Sequence, residues 1–303
     1  MTTTTGPQNR GLEYALLALL ALLWGSSYLF LKVAVAEIPP VTLIAFRVTV
    51  AAALLYGVLR WQGQNLPRDR ATWRLLLVQS FFNSIGAWTI LAWGQQYVDS
   101  GLASVLNSTS PIFVFLFTYF VTRHESLSSL KLFGALLGLA GVVLIVGTDA
   151  LAGLGTHVAG QLAALAGAIL YACAAIYGKR LSHVSATATA TGAMIWAAVV
   201  LLPASLVMEQ PWNLPIPSMK ALAAATILAV LCTAGALLIY FRLIQTLGSL
   251  GVASQAYLRA GVGVVLGMVF LGEQITFIIG IGLVAAILGV AAINMPQRTK
   301  KPV

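Results

Sequence analysis

An arginine stranded inside an apolar helix needs a chemical reason to be there. Arg259 lies midway along a long apolar run, and Gln255, four residues earlier, shares its helical face. A guanidinium beside an amide offers a set of fixed donors that suits a carboxylate. Tyr257 is two positions away and points nearly oppositely, as helical geometry demands. On an earlier run Asn107, Ser108 and Pro111 meet. The spacing therefore leaves two faces open as cavity wall, one carrying Arg259 and one carrying Tyr257.

Further polar residues inside apolar runs extend that wall. Gln79 and Asn83 share a face continued by Gly86 and Trp93, while Tyr171 and Tyr240 lie within two later runs. Trp24 sits deep in the first run and offers an amphipathic lining for varied side chains. Interhelical hydrogen bonding is the competing role for the asparagines and serines. Three other intrahelical cations read differently. Arg47 reads as a brace for helix packing, and Lys32 and Arg242 as side chains reaching for the membrane surface.

Other chemistry finds little support. His124, His157 and His183 all fall in loops without metal-site spacing, and no glycine-rich phosphate loop with a following lysine is present. Every carboxylate, from Glu13 and Glu37 through Asp69, Asp99, Glu125, Asp149 and Glu209 to Glu273, lies at or near a predicted helix end. Buried carboxylates mark proton paths. Their absence disfavours proton-coupled export of organic cations and favours a neutral or zwitterionic substrate moving down its gradient. The expectation is a non-enzyme with no cofactor and no ATP hydrolysis of its own.

These residues need a scaffold, and composition names its solvent. The chain has 59% hydrophobic and 8% charged residues with a mean hydropathy of +0.93. A soluble domain carries about a quarter charged residues. The apolar runs are long enough to cross a hydrocarbon core as helices, and they lack the short alternation of barrel strands. The net charge of +9 does not point to nucleic acid, because the basic residues sit at helix ends and not in a stripe. Cys173 and Cys232 fall inside apolar runs, so no disulfide framework is implied.

The runs predict an all-α integral membrane protein with ten transmembrane helices. The first five cover residues 14–32, the stretch from the Pro39-Pro40 pair to Leu59, then 75–95, 102–121 and 132–147. The second five cover 161–178, 186–207, 222–245, 252–271 and 275–294. The first run is too long for a cleaved signal peptide. Placing the N-terminus in the cytoplasm puts Arg60, Arg68, Arg70, Arg74, Arg123, Lys131, Lys179, Arg180 and the basic C-terminal tail on the same side. The positive-inside rule then predicts both termini cytoplasmic in a plasma (inner) membrane.

The chain also repeats itself. Gly101, Ala103 and Ser104 return as Gly251, Ala253 and Ser254, and Glu125, Gly134 and Gly141 return as Glu273, Gly282 and Gly289. This predicts a first five-helix repeat over 12–147 and a second over 160–294. Five crossings per repeat is odd, so the second repeat enters the membrane inverted. Inverted repeats mark secondary transporters that bind substrate near the midplane. The glycines at 134, 138, 141, 282 and 289 predict that helices 5 and 10 dock the halves together, giving a monomer.

Trp24-Gly25-Ser26-Ser27, Phe46-Arg47, Ser110-Pro111 and Leu271-Gly272-Glu273 with following glycines, in this order and with this duplication, resemble the drug/metabolite transporter superfamily and its ten-helix EamA-type exporters. Within it the chain is most similar to YddG-type amino-acid exporters. The resemblance covers nearly the whole chain. It implies export of small metabolites, amino acids including aromatic and neutral ones, by alternating access, with membrane lipid the only other partner. Two positions depart from the pattern. Ala260 stands where a proline is usual, which predicts a straighter helix 9 than helix 4, and Arg123-His124-Glu125 replaces Leu-Gly-Glu. Pro111 is the expected kink and gate. A lipid scramblase or carrier-lipid flippase is the alternative, and it would need a groove open sideways to the bilayer.

Overall fold

The computed structural model describes residues 10–94, 96–98, 105–122, 128–146, 157–259, 261–262 and 277–295. Among them every regular element is a helix. Seven helices are long and apolar enough to span a membrane: α1 (Arg10–Val35), α2 (Pro40–Trp61), α3 (Arg70–Gly94), α6 (Val158–Leu181), α7 (Ala186–Met208), α8 (Met219–Thr246) and α10 (Phe277–Asn294). Two shorter apolar helices, α4 (Val105–Val121) and α5 (Ser129–Ile145), complete the first half. Helix α9 opens with Gly248–Ala253, and its continuation beyond residue 262 lies outside the described residues. So do Asp99, the Arg123-His124-Glu125 stretch, Asp149, Leu271-Gly272-Glu273, the 147–156 link and the basic tail.

The packing respects the repeat. α2 lies against α7, α5 against α10, and α4 against α9, while α1 packs on α8 as α6 packs on α3. Exchanging every helix with the one five places along leaves these pairs unchanged. A core of Leu17, Leu20, Ile44, Val48, Met194, Leu201, Leu237 and Phe241 fills the space between them.

Several helices begin earlier than hydropathy suggests, because polar caps start them. Asp69 accepts the Thr72 amide at 2.7 Å, so α3 begins at Arg70 and the arginines at 70 and 74 are helical. Ser218 likewise accepts the Ala221 amide and starts α8 at Met219. Each such cap contributes about 1 kcal/mol.

The carboxylates join the halves. Glu209, at the end of α7, accepts the amides of Val41 and Thr42 and so caps α2. Glu37, after α1, accepts the Ser218 amide and hydroxyl, both at 2.7 Å, at the start of α8. At the opposite end of α1, buried Glu13 pairs with Arg242 at 2.8 Å and accepts the Thr246 hydroxyl. Arg242 is thus a partnered residue at the rim, where hydropathy alone suggests an isolated cation reaching for the surface.

Glycines let α5 and α10 touch backbone to backbone. A methyl group placed on Gly141 would stand 2.5 Å from the Ala286 amide nitrogen, and one on Gly289 would stand 2.6 Å from the Gly134 carbonyl oxygen. Only hydrogen fits there. This is the close small-residue packing typical of membrane helix pairs.

Two departures from regular helix occur at matched places. A π-helical turn spans Phe81–Ile85 in α3, and another spans Val230–Gly235 in α8. Each is closed by a glycine, Gly86 or Gly235. Helices α4 and α9 also break, the first at Ser108-Thr109 and the second at Ser254, which the repeat pairs with Ser104, so the two breaks are four to five residues out of register. In both, a hydroxyl bonds the carbonyl three residues back: Thr109 to Leu106 and Ser254 to Gly251, each at 2.6 Å. Ala260, the position where the sequence departs from the family's proline, lies outside the described residues.

Candidate functional site

A half-open cleft lies between the two halves. Its wider part is bounded by Leu31, Ile44, Leu91 and Ala92, which sit near the C-terminal ends of α1 and α3 and the start of α2. Deeper in stand Trp24, Ser27, Arg47, Trp88, Tyr171 and Arg259. The empty space measures about 450 Å³ including its mouth. Trp24 lies eleven residues from the end of α1, so the floor is about 16 Å down.

The π turn of α8 stands behind the cleft and anchors two of its lining side chains. A π turn shifts the backbone ladder by one residue and frees a carbonyl from its usual partner. The Cys232 carbonyl receives the Trp24 indole N–H at 3.1 Å and the Arg47 guanidinium at 3.3 Å. Arg47 Nε also donates to the Thr233 hydroxyl, which itself donates to the Leu228 carbonyl. The Arg47 guanidinium lies 4.1 Å from the centroid of the Trp88 ring, and that of Arg259 lies 5.8 Å from the Trp24 ring. Two cations thus flank an aromatic wall, and among the described residues none that lines the cleft is acidic.

The structure separates the residues that the sequence grouped. Trp24, Tyr171 and Arg259 line the cleft, and Tyr240 backs it with its ring 5.2 Å from Trp24. Tyr257 is fully buried away from it, its hydroxyl donating to the Ala135 carbonyl of α5 at 2.8 Å and its ring lying over Gly138. Of the two faces of α9, the cleft takes the one with Arg259. Trp93 is 43% exposed and packs on Tyr97 near the end of α3. Ser108 donates to the Ala256 carbonyl at 3.3 Å and ties α4 to α9, with Asn107 and Pro111 buried beside it.

Gln79 and Asn83 are fully buried beyond the floor. Gln79 packs against Gly178, and neither of its polar atoms has a hydrogen-bond partner among the described residues. The same holds for the Ser80 hydroxyl, Asn83 Oδ1 and Gln255 Oε1. A buried polar group without a partner costs about 1–3 kcal/mol. These groups sit toward the end of the bundle where α1 begins, opposite the cleft mouth.

Arg47 was legible as a brace, and it is one. Its second role as a cleft wall needed the structure. The one sequence signal for the π turns was the matched pair Gly86 and Gly235 inside helical runs.

The apolar helices and duplicated packing define a multi-pass membrane protein with the architecture of a transporter. The profile of the EamA-like transporter family matches residues 11–147 and again 158–295, and the chain belongs to that family. It is 27% identical to the uncharacterized inner membrane transporter YedA of Escherichia coli strain K12, over 91% of this chain and 88% of that one. It is 26% identical to the uncharacterized transporter YvbV of Bacillus subtilis, over 94% and 92% of the two chains. A solved crystal structure shares the fold with a TM-score of 0.78 and 19% identity, covering 93% of this chain and 96% of that one.

Proposed function

We propose that this transporter is a ten-span secondary carrier of small carboxylate-bearing metabolites, amino acids foremost, working by alternating access between two inverted halves. The observation that carries the reading is the pair of guanidinium groups, Arg47 and Arg259, facing a tryptophan-walled cleft whose lining holds no acid among the described residues. A carboxylate entering it gains a charge-assisted contact, and an apolar or aromatic side chain finds Trp24 and Trp88. A cationic substrate would be repelled.

The orphaned polar atoms of Gln79, Asn83 and Gln255 support the alternating part. Their cost in the closed half is removed when that half opens and water reaches them. Both termini are assigned to the cytoplasm and the direction to export, on the charge asymmetry of the ends and the family likeness. Substrate gradients drive the flux without ATP.

The test is uptake and counterflow of a panel of labelled amino acids in proteoliposomes, with and without a proton gradient. Saturable flux without the gradient is expected. Arg259→Ala should lower it roughly 10- to 100-fold, the worth of one charge-assisted hydrogen bond. No flux across the panel, beside movement of a fluorescent lipid, would replace this reading with a lipid-moving one.

A further inference from the structure

A second concavity lies on the flank of the bundle, between α3, α4 and α6. Phe82, Phe117 and Val121 form one side, Ile176 and Tyr177 the other, and its empty space measures about 740 Å³. Phe82 and Tyr177 meet edge to face, 5.9 Å between centroids, and close its floor. Among the described residues the one charged side chain lining it is Arg180, which stands at one end with its guanidinium 5.2 Å from the Tyr177 ring. Arg180 is exposed and lies in the tightened last turn of α6. Phe82 is twelve residues into α3, so the groove runs about 18 Å from the basic end of the bundle toward its middle.

This is the wrong shape and chemistry for a soluble metabolite. An occupant must offer a long apolar chain to the aromatic walls and an anion to the arginine at the rim. A phosphodiester meets both donors of a guanidinium, which a zwitterionic headgroup satisfies less well because its own cation lies beside the phosphate. Val121 on its lip is exposed. We propose that this groove binds one anionic phospholipid, with an acyl chain along Phe82 and Phe117 and its phosphate on Arg180. The lipid is a resident ligand that fills the joint between α4 and α6, separate from the substrate cleft.

The experiment is native mass spectrometry of the full chain, purified in a non-ionic detergent and supplied with equal amounts of phosphatidylglycerol and phosphatidylcholine of matched chains. One retained lipid per chain is expected, with phosphatidylglycerol favoured roughly fivefold or more, the scale of a single exposed charge contact. Arg180→Gln should bring the two lipids to parity. Cys173→Phe, which fills the groove from its α6 side, should lower retention of both, with circular dichroism confirming an unchanged helical fold. Loss of helical signal in that variant would move the test to Ile176→Ala, which enlarges the groove and should shorten retention. Equal retention of both lipids by the wild type, an unchanged ratio in Arg180→Gln, or no retained lipid at all would overturn the proposal.

Discussion

The Arg47 guanidinium lies on the face of Trp88, 4.1 Å from its centroid, while its nitrogens reach back to the π turn of α8. One side chain therefore joins a structural irregularity to the cleft surface. Each group that Arg47 touches has a second partner: Trp24 for the Cys232 carbonyl, and the Leu228 carbonyl for the Thr233 hydroxyl.

Arg47→Met consequently strands no polar atom. Exchanging a buried charge for an apolar side chain of similar length should change stability by less than about 1 kcal/mol. The KM for an amino-acid substrate should rise by about tenfold or more, equivalent to about 1.4 kcal/mol. Thermal unfolding and proteoliposome kinetics on the same preparation separate the two. A large loss of stability with an unchanged KM would make Arg47 a brace alone.

Gly141 and Gly280 provide a matched pair of substitutions. A methyl group at Gly141 meets backbone atoms of Ala286 and Gly282 at 2.5 and 2.6 Å, whereas nothing lies within 4 Å at Gly280. Gly141→Ala should destabilise by about 1–3 kcal/mol through overpacking. Gly280→Ala should be neutral or stabilise by up to about 1 kcal/mol, since alanine is the better helix former. Melting of the two purified variants checks this, and equal effects would refute the backbone contact.

The Ser218 backbone amide, followed by its hydroxyl, holds the Glu37 carboxyl below its ordinary 4.5. A depressed carboxylate stabilises the fold fully above its unfolded pKa and ceases to do so as pH falls through the folded value. The melting temperature should therefore fall as pH drops below about 4.5, more steeply in the wild type than in Glu37→Gln. Parallel curves would show that the contact carries no linkage.

Pro111 begins the helical stretch Ser110–Phe117, where its missing amide hydrogen costs little. The break at Ser108-Thr109 also carries the Thr109 back-bond to Leu106, so Pro111→Ala should preserve the break and slow flux less than about threefold. Adding Thr109→Val removes the back-bond to Leu106. Initial rates should drop further in the double variant, and a full loss in Pro111→Ala alone would assign the break to proline.

The repeat, the helices and the polarity of Arg259 were legible because periodicity and charge survive in one dimension. What Arg47 faces was not, since its neighbours Thr233 and Trp88 come from distant helices and no spacing announces them. Tyr257 and Arg259 shared one helix, and the choice between faces depended on where Gly138 left room for a ring. Trp93 looked deep by its position in an apolar run, but α3 ends one residue later. The early starts of α3 and α8 were hidden because a cap overrides hydropathy. The groove beside Arg180 required three helices to meet.

The π turns of α3 and α8 begin 149 residues apart, at Phe81 and Val230, and α4 closes in a third at Thr118–Thr122. A π turn adds one residue to a helix and rotates everything after it by about 100° relative to what came before. Two such insertions, made separately at equivalent points after the halves parted, would be a coincidence. A single insertion in a half-length ancestor accounts for both. The bulge is then older than the duplication.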